Sequence, residues 1–551
     1  MIKRINFFLL WFGLLSAISA QNPTCYRIYL SDKNNSPYSI ENPSEYLSQR
    51  AIDKRIRFNI PITEQDFPVN PQYKQQILSL HPQMQPLAVS KWMNTFTVYC
   101  PDSTVVPQFL SLPFVDSIKA VGNYILHDAP VFQDFKNPTS LVHRSSTPMK
   151  DAFDYGLGLS QIALLNGIPL HEEGFHGEGM LIAVIDGGFL GIETTSFYQQ
   201  LVNEGRFFGH YSLMPDIADT LGSISQEVHG TIVTSAMAAN TNGELVGTAP
   251  AASYALIHTE WVDTEEMIEE DFWANGAEIA DSLGADVVNS SLCYRMFPDF
   301  PQSDITYANM DGVHSIASRC ATILGQKGVI VCVAAGNDGN GEFYHVSRPG
   351  DAFDILCVGA CTADSIIAIF SSRGPSYDFR VKPDIISMGV QTACYYPDDM
   401  LAYANGTSLA TPVAAGLCAC LWQAMPQYTS TEMMQFIRES GHLYNNPNPE
   451  YGYGIPNFYK IYASHVGLND YNPLAISIYP NPVTDKLILA NPDGNNQTVS
   501  IYNTAGQLVL QTTIYGNPIV EINVTSLPDG FYMGTATLEG NHKATFKFVK
   551  K

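Results

Sequence analysis

Short apolar runs recur through the middle of the chain with longer amphipathic stretches between them. Leu181–Ile185, Tyr254–His258, Asp286–Asn289, Gly328–Ala335 and Ile355–Gly359 read as buried strands. Glu265–Leu283 and Val313–Gln326 read as helices between them. From about residue 155 to 465 this alternation predicts an α/β domain, a parallel sheet with helices on both faces. In such sheets ligands collect beyond the carboxyl ends of the strands.

The flanking regions follow other patterns. Before this domain, Trp92 to Cys100 alternates with period two and places Trp92, Phe96, Val98 and Cys100 on one face of a half-buried strand. Ser44–Arg57 and Val105–Leu112 are helical candidates, and Val115–Val121 follows, which predicts a small α+β unit. Pro130 to Pro148 is polar and irregular and reads as a linker open to proteolysis. After Asn469–Pro473 the pattern is all-β. Strands are predicted at Ile476–Tyr479, Lys486–Ala490, Val499–Tyr502, Gln507–Gln511, Ile519–Val524, Phe531–Leu538 and Ala544–Val549. Turns such as Pro528-Asp529-Gly530 separate them, and a small sandwich is expected.

Composition narrows the picture. At 551 residues the chain needs several units, and 45% hydrophobic with 15% charged residues is globular. A net charge of −24 argues against nucleic acid or an anionic membrane as the main partner. Lys3 and Arg4 precede the apolar run Phe7–Leu15, and Ser16 to Ala20 offers small residues for cleavage. Residues 1–20 are therefore expected to be a signal peptide, since the run is too short to span a bilayer. The ten cysteines of an exported chain invite a disulfide reading. However, Cys332 and Cys357 fall in predicted buried strands, and Cys418 and Cys420 in an apolar helix, so these four are expected to be buried thiols. No Cys or His pair has structural zinc spacing, and no metal site is expected.

Four motifs carry chemistry. Ser408 lies in Asn-Gly-Thr-Ser-Leu-Ala-Thr-Pro (405–412), a glycine turn that delivers a hydroxyl to the start of the apolar helix Val413–Trp422. Backbone N–H groups at a helix start can stabilise an oxyanion. Asp186 ends the buried strand of Leu-Ile-Ala-Val-Ile-Asp-Gly-Gly-Phe (181–189). His229, in Gln-Glu-Val-His-Gly-Thr (226–231), lies at or just before the helical run Thr231–Ala239. Asn337 follows the strand ending Ala-Ala-Gly (334–336) and offers an amide donor. Ser408 would attack a carbonyl, His229 would accept its proton, and Asp186 would orient the imidazole. Asn337 and the Ser408 N–H would hold the oxyanion. Activity should then fall as His229 protonates, below about 6.5 for an unperturbed imidazole.

Residues 155–465 resemble the subtilisin-like serine peptidase (subtilase) family. The motifs are Ala-Val-Ile-Asp-Gly-Gly (183–188), His-Gly-Thr (229–231), Val-Val-Asn-Ser-Ser-Leu (287–292), Ala-Ala-Gly-Asn (334–337) and Gly-Thr-Ser-Leu-Ala-Thr-Pro (406–412). The resemblance implies Asp186, His229 and Ser408 as a triad, Asn337 in the oxyanion hole and endopeptidase activity. It implies that Ser291, Leu292 and Cys293 form an edge that pairs with substrate backbone, and Ala334, Ala335 and Gly336 are expected to bind substrate with them. Cys293 stands where the family usually has glycine, and is expected to narrow the pocket beside the scissile residue. The loop Asn240–Gly247 resembles a calcium-binding loop of some subtilases but is shorter, so no cofactor is expected and no specific motif supports a structural calcium.

The first unit resembles a subtilase propeptide, most clearly in Ser-Lys-Trp-Met-Asn-Thr-Phe (90–96). The last resembles the type A sorting domain of type IX secretion substrates, through Tyr-Pro-Asn-Pro-Val (479–483), Leu-Pro-Asp-Gly-Phe-Tyr (527–532) and Lys-Phe-Val-Lys (547–550). The expected organisation is a signal peptide (1–20), a propeptide with linker (21–150), a catalytic domain (151–467) and a β-sandwich sorting domain (474–551). The expected partners are protein or peptide substrates and the type IX secretion machinery, with no transmembrane segment, the enzyme acting as a monomer outside the cell or on its surface. The rival expectation is a surface-displayed pseudo-protease that uses the same fold for binding.

Overall fold

The computed structural model describes residues 24–123, 153–214, 227–261, 264–298, 300–465, 477–490, 497–504, 506–515, 519–538 and 543–551. The expected signal peptide and the linker Pro130–Pro148 lie outside the described residues.

In the N-terminal unit, β1 (Cys25–Leu30), β2 (Gln85–Ser90), β3 (Thr95–Tyr99) and β4 (Val115–Gly122) form an antiparallel sheet in the order β2-β3-β1-β4. Strand alternation divides β1 between two tasks. Tyr26, Ile28 and Leu30 join Phe96, Val98 and Phe109 in the unit's own core, while Cys25 and Arg27 face the next domain. The helix α1 (Gln49–Arg57) starts later than the pattern suggests, because Ser48 caps it by accepting from Ala51 N. The predicted strand beginning at Trp92 also starts later, at Thr95. Residues 91–94 form the β2–β3 turn, with Asn94 at φ 50°. That turn takes Trp92 out of the strand's alternation, and its ring packs with the central domain instead of with Phe96, Val98 and Cys100.

The central domain is built on β5 (Leu181–Asp186), β6 (Phe207–Ser212), β7 (Ser253–His258), β8 (Val287–Ser290), β9 (Ile330–Ala334), β10 (Leu356–Cys361) and β11 (Ile385–Met388). All pair in parallel, in the order β11-β10-β9-β8-β5-β7-β6. The two strands missing from the sequence prediction, β6 and β11, are the two edges. β6 is only half-buried along its length and β11 has four residues, so neither shows the continuous apolar run of a central strand.

Ile182 and Val184 of β5 point to one face, and Leu181, Ala183 and Ile185 to the other. The first face is covered by α5 (Thr407–Ala424) through Val413, Leu417 and Leu421. The second is covered by α3 (Glu269–Leu283) and α4 (Ile316–Gln326) through Trp273, Ala277 and Leu324. Full burial of a side chain such as Leu417 contributes about 1.5–3 kcal/mol. The helix α2 (His229–Ala238) packs beside α5. Asn240–Thr241 and Leu245–Val246 close the short loop as a tight antiparallel hairpin. All ten cysteines are free thiols, and Cys293 alone is exposed.

The N-terminal sheet lies on α3, whose residues are all buried, including Glu269, Glu270, Asp271, Glu278 and Asp281. Arg27 makes two bonds to Asp271, at 2.7 and 2.5 Å, and Arg55 makes two to Asp281, at 2.7 and 2.8 Å. Glu278 accepts from Ser90 Oγ at 2.6 Å, Lys91 N at 2.8 Å and Trp92 N at 3.0 Å. The C-terminal segment forms two antiparallel sheets, of three and four strands, around Leu487, Leu489, Val499, Ile501 and Phe548.

Candidate active site

Asp186 is the last residue of β5, where the chain's course across the sheet reverses between β7 and β8. Its carboxylate is wholly buried, and Oδ1 accepts from Gly187 N at 2.9 Å and faces His229 Nδ1 at 2.8 Å. His229 opens α2. Its position depends on Gly230, whose N–H donates to Gly188 O at 2.9 Å. A Cβ on Gly230 would meet that oxygen at 2.4 Å, so only glycine permits this approach. The imidazole keeps 27% of its surface exposed. Burial lowers its pKa, but the Asp186 charge, the Asp186 hydrogen bond and Glu227 outweigh that, and the net value is raised above 6.5.

Ser408 is the second residue of α5 and is 8% exposed. Gly406 precedes it at φ 152°, and a Cβ there would lie 2.7 Å from Ser408 Oγ and 3.8 Å from Asn337 Nδ2. The hydroxyl and the amide therefore flank one small space that the glycine keeps open. Asn337 Oδ1 accepts from Thr407 N at 2.9 Å and Thr407 Oγ1 at 3.0 Å. With its oxygen fixed, the amide is oriented so that Nδ2 is free to donate.

Pro412 completes the arrangement. An α-helix would pair the Ser408 carbonyl with the N–H of residue 412, but proline has none. Ser291 Oγ donates to that carbonyl instead, at 2.8 Å, and accepts from Asn289 Nδ2 at 3.2 Å. The segment after β8 is thereby fastened to the serine turn.

The structure thus joins Asp186 to His229, and Asn337 and Ser291 to the serine turn. It forms no hydrogen bond between Ser408 Oγ and His229. Such contacts tighten when substrate binds. Strand β8 ends at Ser290, and Ser291, Leu292 and Cys293 run on without ladder partners of their own. Cys293 Sγ donates to Ala334 O at 3.3 Å, which links the two walls named by the motifs, Leu292–Cys293 and Ala334–Gly336. Sequence reading missed the anchoring roles of Thr407, Ser291 and Pro412. Their signal lay within the motifs already in view, a donor-free proline four residues after the serine.

A sequence model of the Subtilase family matches residues 177–454, half of the chain. One of the Peptidase S8 propeptide domain of Bacteroidota matches residues 25–131, and one of the secretion system C-terminal sorting domain matches residues 477–551. The chain is similar to serine protease AprX of Bacillus subtilis (strain 168), at 25% identity over 51% of this chain and 65% of that one. It is similar to M-protease of Shouchella clausii (strain KSM-K16), at 28% over 52% and 65%. It is also similar to subtilisin E of Bacillus subtilis (strain 168), at 28% over 54% and 69%. The match thus spans just under two thirds of the first two relatives' length. The sorting-domain match marks a protein exported to a secreted or cell-surface location. Among the described residues no helix is long and apolar enough to cross a membrane.

Proposed function

Because the chain belongs to the subtilase family, we propose that it is a secreted serine endopeptidase made as a precursor, with Asp186, His229 and Ser408 as its triad. The observation that carries this reading is the 2.8 Å contact between His229 Nδ1 and the buried Asp186 carboxylate, at the carboxyl end of a central strand. A hydrogen bond at Nδ1 leaves Nε2 as the basic nitrogen.

Ser408 Oγ attacks the scissile carbonyl and its proton passes to His229 Nε2, while Asp186 stabilises the imidazolium. The negative oxygen is held by the Ser408 N–H and by Asn337 Nδ2. As the tetrahedral species collapses, His229 gives its proton to the departing amine, leaving an acyl ester on Ser408. Water then attacks that ester by the same route in reverse. The substrate strand lies between Leu292–Cys293 and Ala334–Gly336, with Cys293 narrowing the pocket of the scissile residue. The N-terminal unit restrains the enzyme until it is removed. The C-terminal unit presents the protein to the secretion machinery.

The test is expression in a host that carries the secretion system. Wild-type protein should appear outside the cell, lose its N-terminal unit and hydrolyse casein. Ser408→Ala should be exported unprocessed and inactive. Equal processing and hydrolysis by Ser408→Ala would refute the proposal. Deletion of 474–551 should leave the protein in the periplasm.

A further inference from the structure

An extended peptide points successive side chains to opposite sides. With the scissile residue in the pocket of Cys293 and Ala334–Gly336, the residue before it faces the opposite wall. Around His229 that side carries the Asp186–Gly187 turn with Glu227 and Glu260 against it, and His229 N donates to Glu227 Oε1 at 3.0 Å. Glu260 lies two residues beyond the end of β7, whose last residue, His258, is in register with Asp186. A Cβ on Gly187 would lie 3.5 Å from Glu227 Cγ and 3.6 Å from Glu260 Cγ, so both side chains border the turn that carries Asp186.

Glu260 is held rigidly. Tyr294 OH donates to its Oε1 at 2.5 Å and Thr259 Oγ1 at 2.9 Å, and Tyr294 is itself 2% exposed. Tyr294 follows Cys293 directly, so this hydrogen bond ties the two sides of the cleft together.

Among the described residues no lysine or arginine pairs with Glu260. Its surroundings are acidic instead. Glu269, 1% exposed, accepts from Trp261 N at 3.2 Å with Oε1, while its Oε2 is buried without a partner. Burial, with Glu265 and Asp186 nearby, holds the Glu260 carboxyl well above its usual pKa, so a cationic side chain beside it would take the place of its proton. The same loop already accepts a peptide donor. Asn123 N, at the end of the N-terminal unit, donates to Glu266 Oε1 at 2.9 Å. The wall is thus fixed and half-buried at Glu260, with no lysine or arginine on that carboxylate among the described residues.

We propose that Glu260, braced by Tyr294, makes this cleft select peptides with lysine or arginine immediately before the scissile residue. The inference rests on the peptidase reading above and adds its substrate class.

The test uses the mature secreted protein and peptides alike except at that position, which carries Lys, Arg, Nε-acetyl-lysine, Gln, Met or Glu. Lys and Arg should exceed acetyl-lysine, Gln and Met in kcat/KM by about ten-fold or more, the range of a charge-assisted hydrogen bond, with Glu poorest. In Glu260→Gln the Lys to acetyl-lysine ratio should fall to within about two-fold, and Tyr294→Phe should lower it in part. If Glu260→Gln fails to mature, the wild-type series and Tyr294→Phe decide the matter. Acetyl-lysine cleaved as fast as lysine would overturn the proposal, as would a lysine preference that survives Glu260→Gln. Cleavage without charge preference defeats this inference alone. No Ser408-dependent cleavage of any peptide defeats the peptidase reading, and this inference with it.

Discussion

Replacing Ser291 by alanine should damage the serine turn more than loss of a hydroxyl usually would. The Ser408 carbonyl has no helical donor because residue 412 is proline, and its hydrogen bond comes from Ser291 Oγ at 2.8 Å. Ser291 and Ser408 are only 7% and 8% exposed. An unpaired buried carbonyl costs about 1–3 kcal/mol, and Asn289 Nδ2 loses its acceptor as well. For a domain of this size that lowers Tm by about 1.5–5 °C. Because the released backbone belongs to the nucleophile, kcat should fall by about ten- to hundred-fold. Adding Pro412→Ala supplies the missing N–H and should restore both properties in part. The assay is a double-mutant cycle on thermal unfolding, with autolysis suppressed, and on kcat. The account predicts a favourable coupling of about 1 kcal/mol or more. Strictly additive effects of the two substitutions would refute it.

Four further outcomes follow from the site and its cover. The acid limb of kcat/KM should have its midpoint above 6.5, because His229 is raised and only its neutral form accepts the serine proton; a midpoint at or below 6.5 would contradict the Asp186 pairing. Stability runs the other way, since the raised His229 contributes fully below 6.5 and loses its contribution as pH rises through the shifted value, which a pH series of unfolding midpoints checks. Asn337→Ala should lower kcat by about 10²–10³-fold with KM little changed, the effect of removing one oxyanion donor. Arg27→Ala removes one partner of a buried ion pair and should weaken inhibition by the separately added N-terminal unit by at least about 100-fold, consistent with a cost of about 3–5 kcal/mol. Inhibition constants measured with excess propeptide would check it.

Much of the site was legible because its residues occupy forced positions. Asp186, Asn337 and Ser408 follow buried strands or glycine turns, and parallel strands announce themselves as continuous apolar runs. Less legible was whatever depends on a distant partner. The carboxylates of α3 look in sequence like a solvated helix face, yet Asp271 is buried under Arg27, 244 positions away. The tie between Ser291 and Ser408 crosses 117 positions, and Pro412 explains it only once the helix is known. Trp92 fits the strand's alternation perfectly well until Asn94 turns the chain. The pH expectation shifts for a similar reason, since an ordinary imidazole value ignores the buried carboxylate behind His229. Glu260 and Tyr294 belong to separate loops, 34 positions apart, and only the folded chain brings them together.

The central claim is that Ser408 is an activated nucleophile in the mature protein. Its most direct measurement is labelling of the processed, secreted enzyme with a fluorophosphonate, followed by mass spectrometry of the modified peptide. The account predicts stoichiometric modification at Ser408, lost in His229→Ala and in the uncleaved precursor. A folded, processed protein that remains unlabelled, or one labelled at another residue, would contradict it.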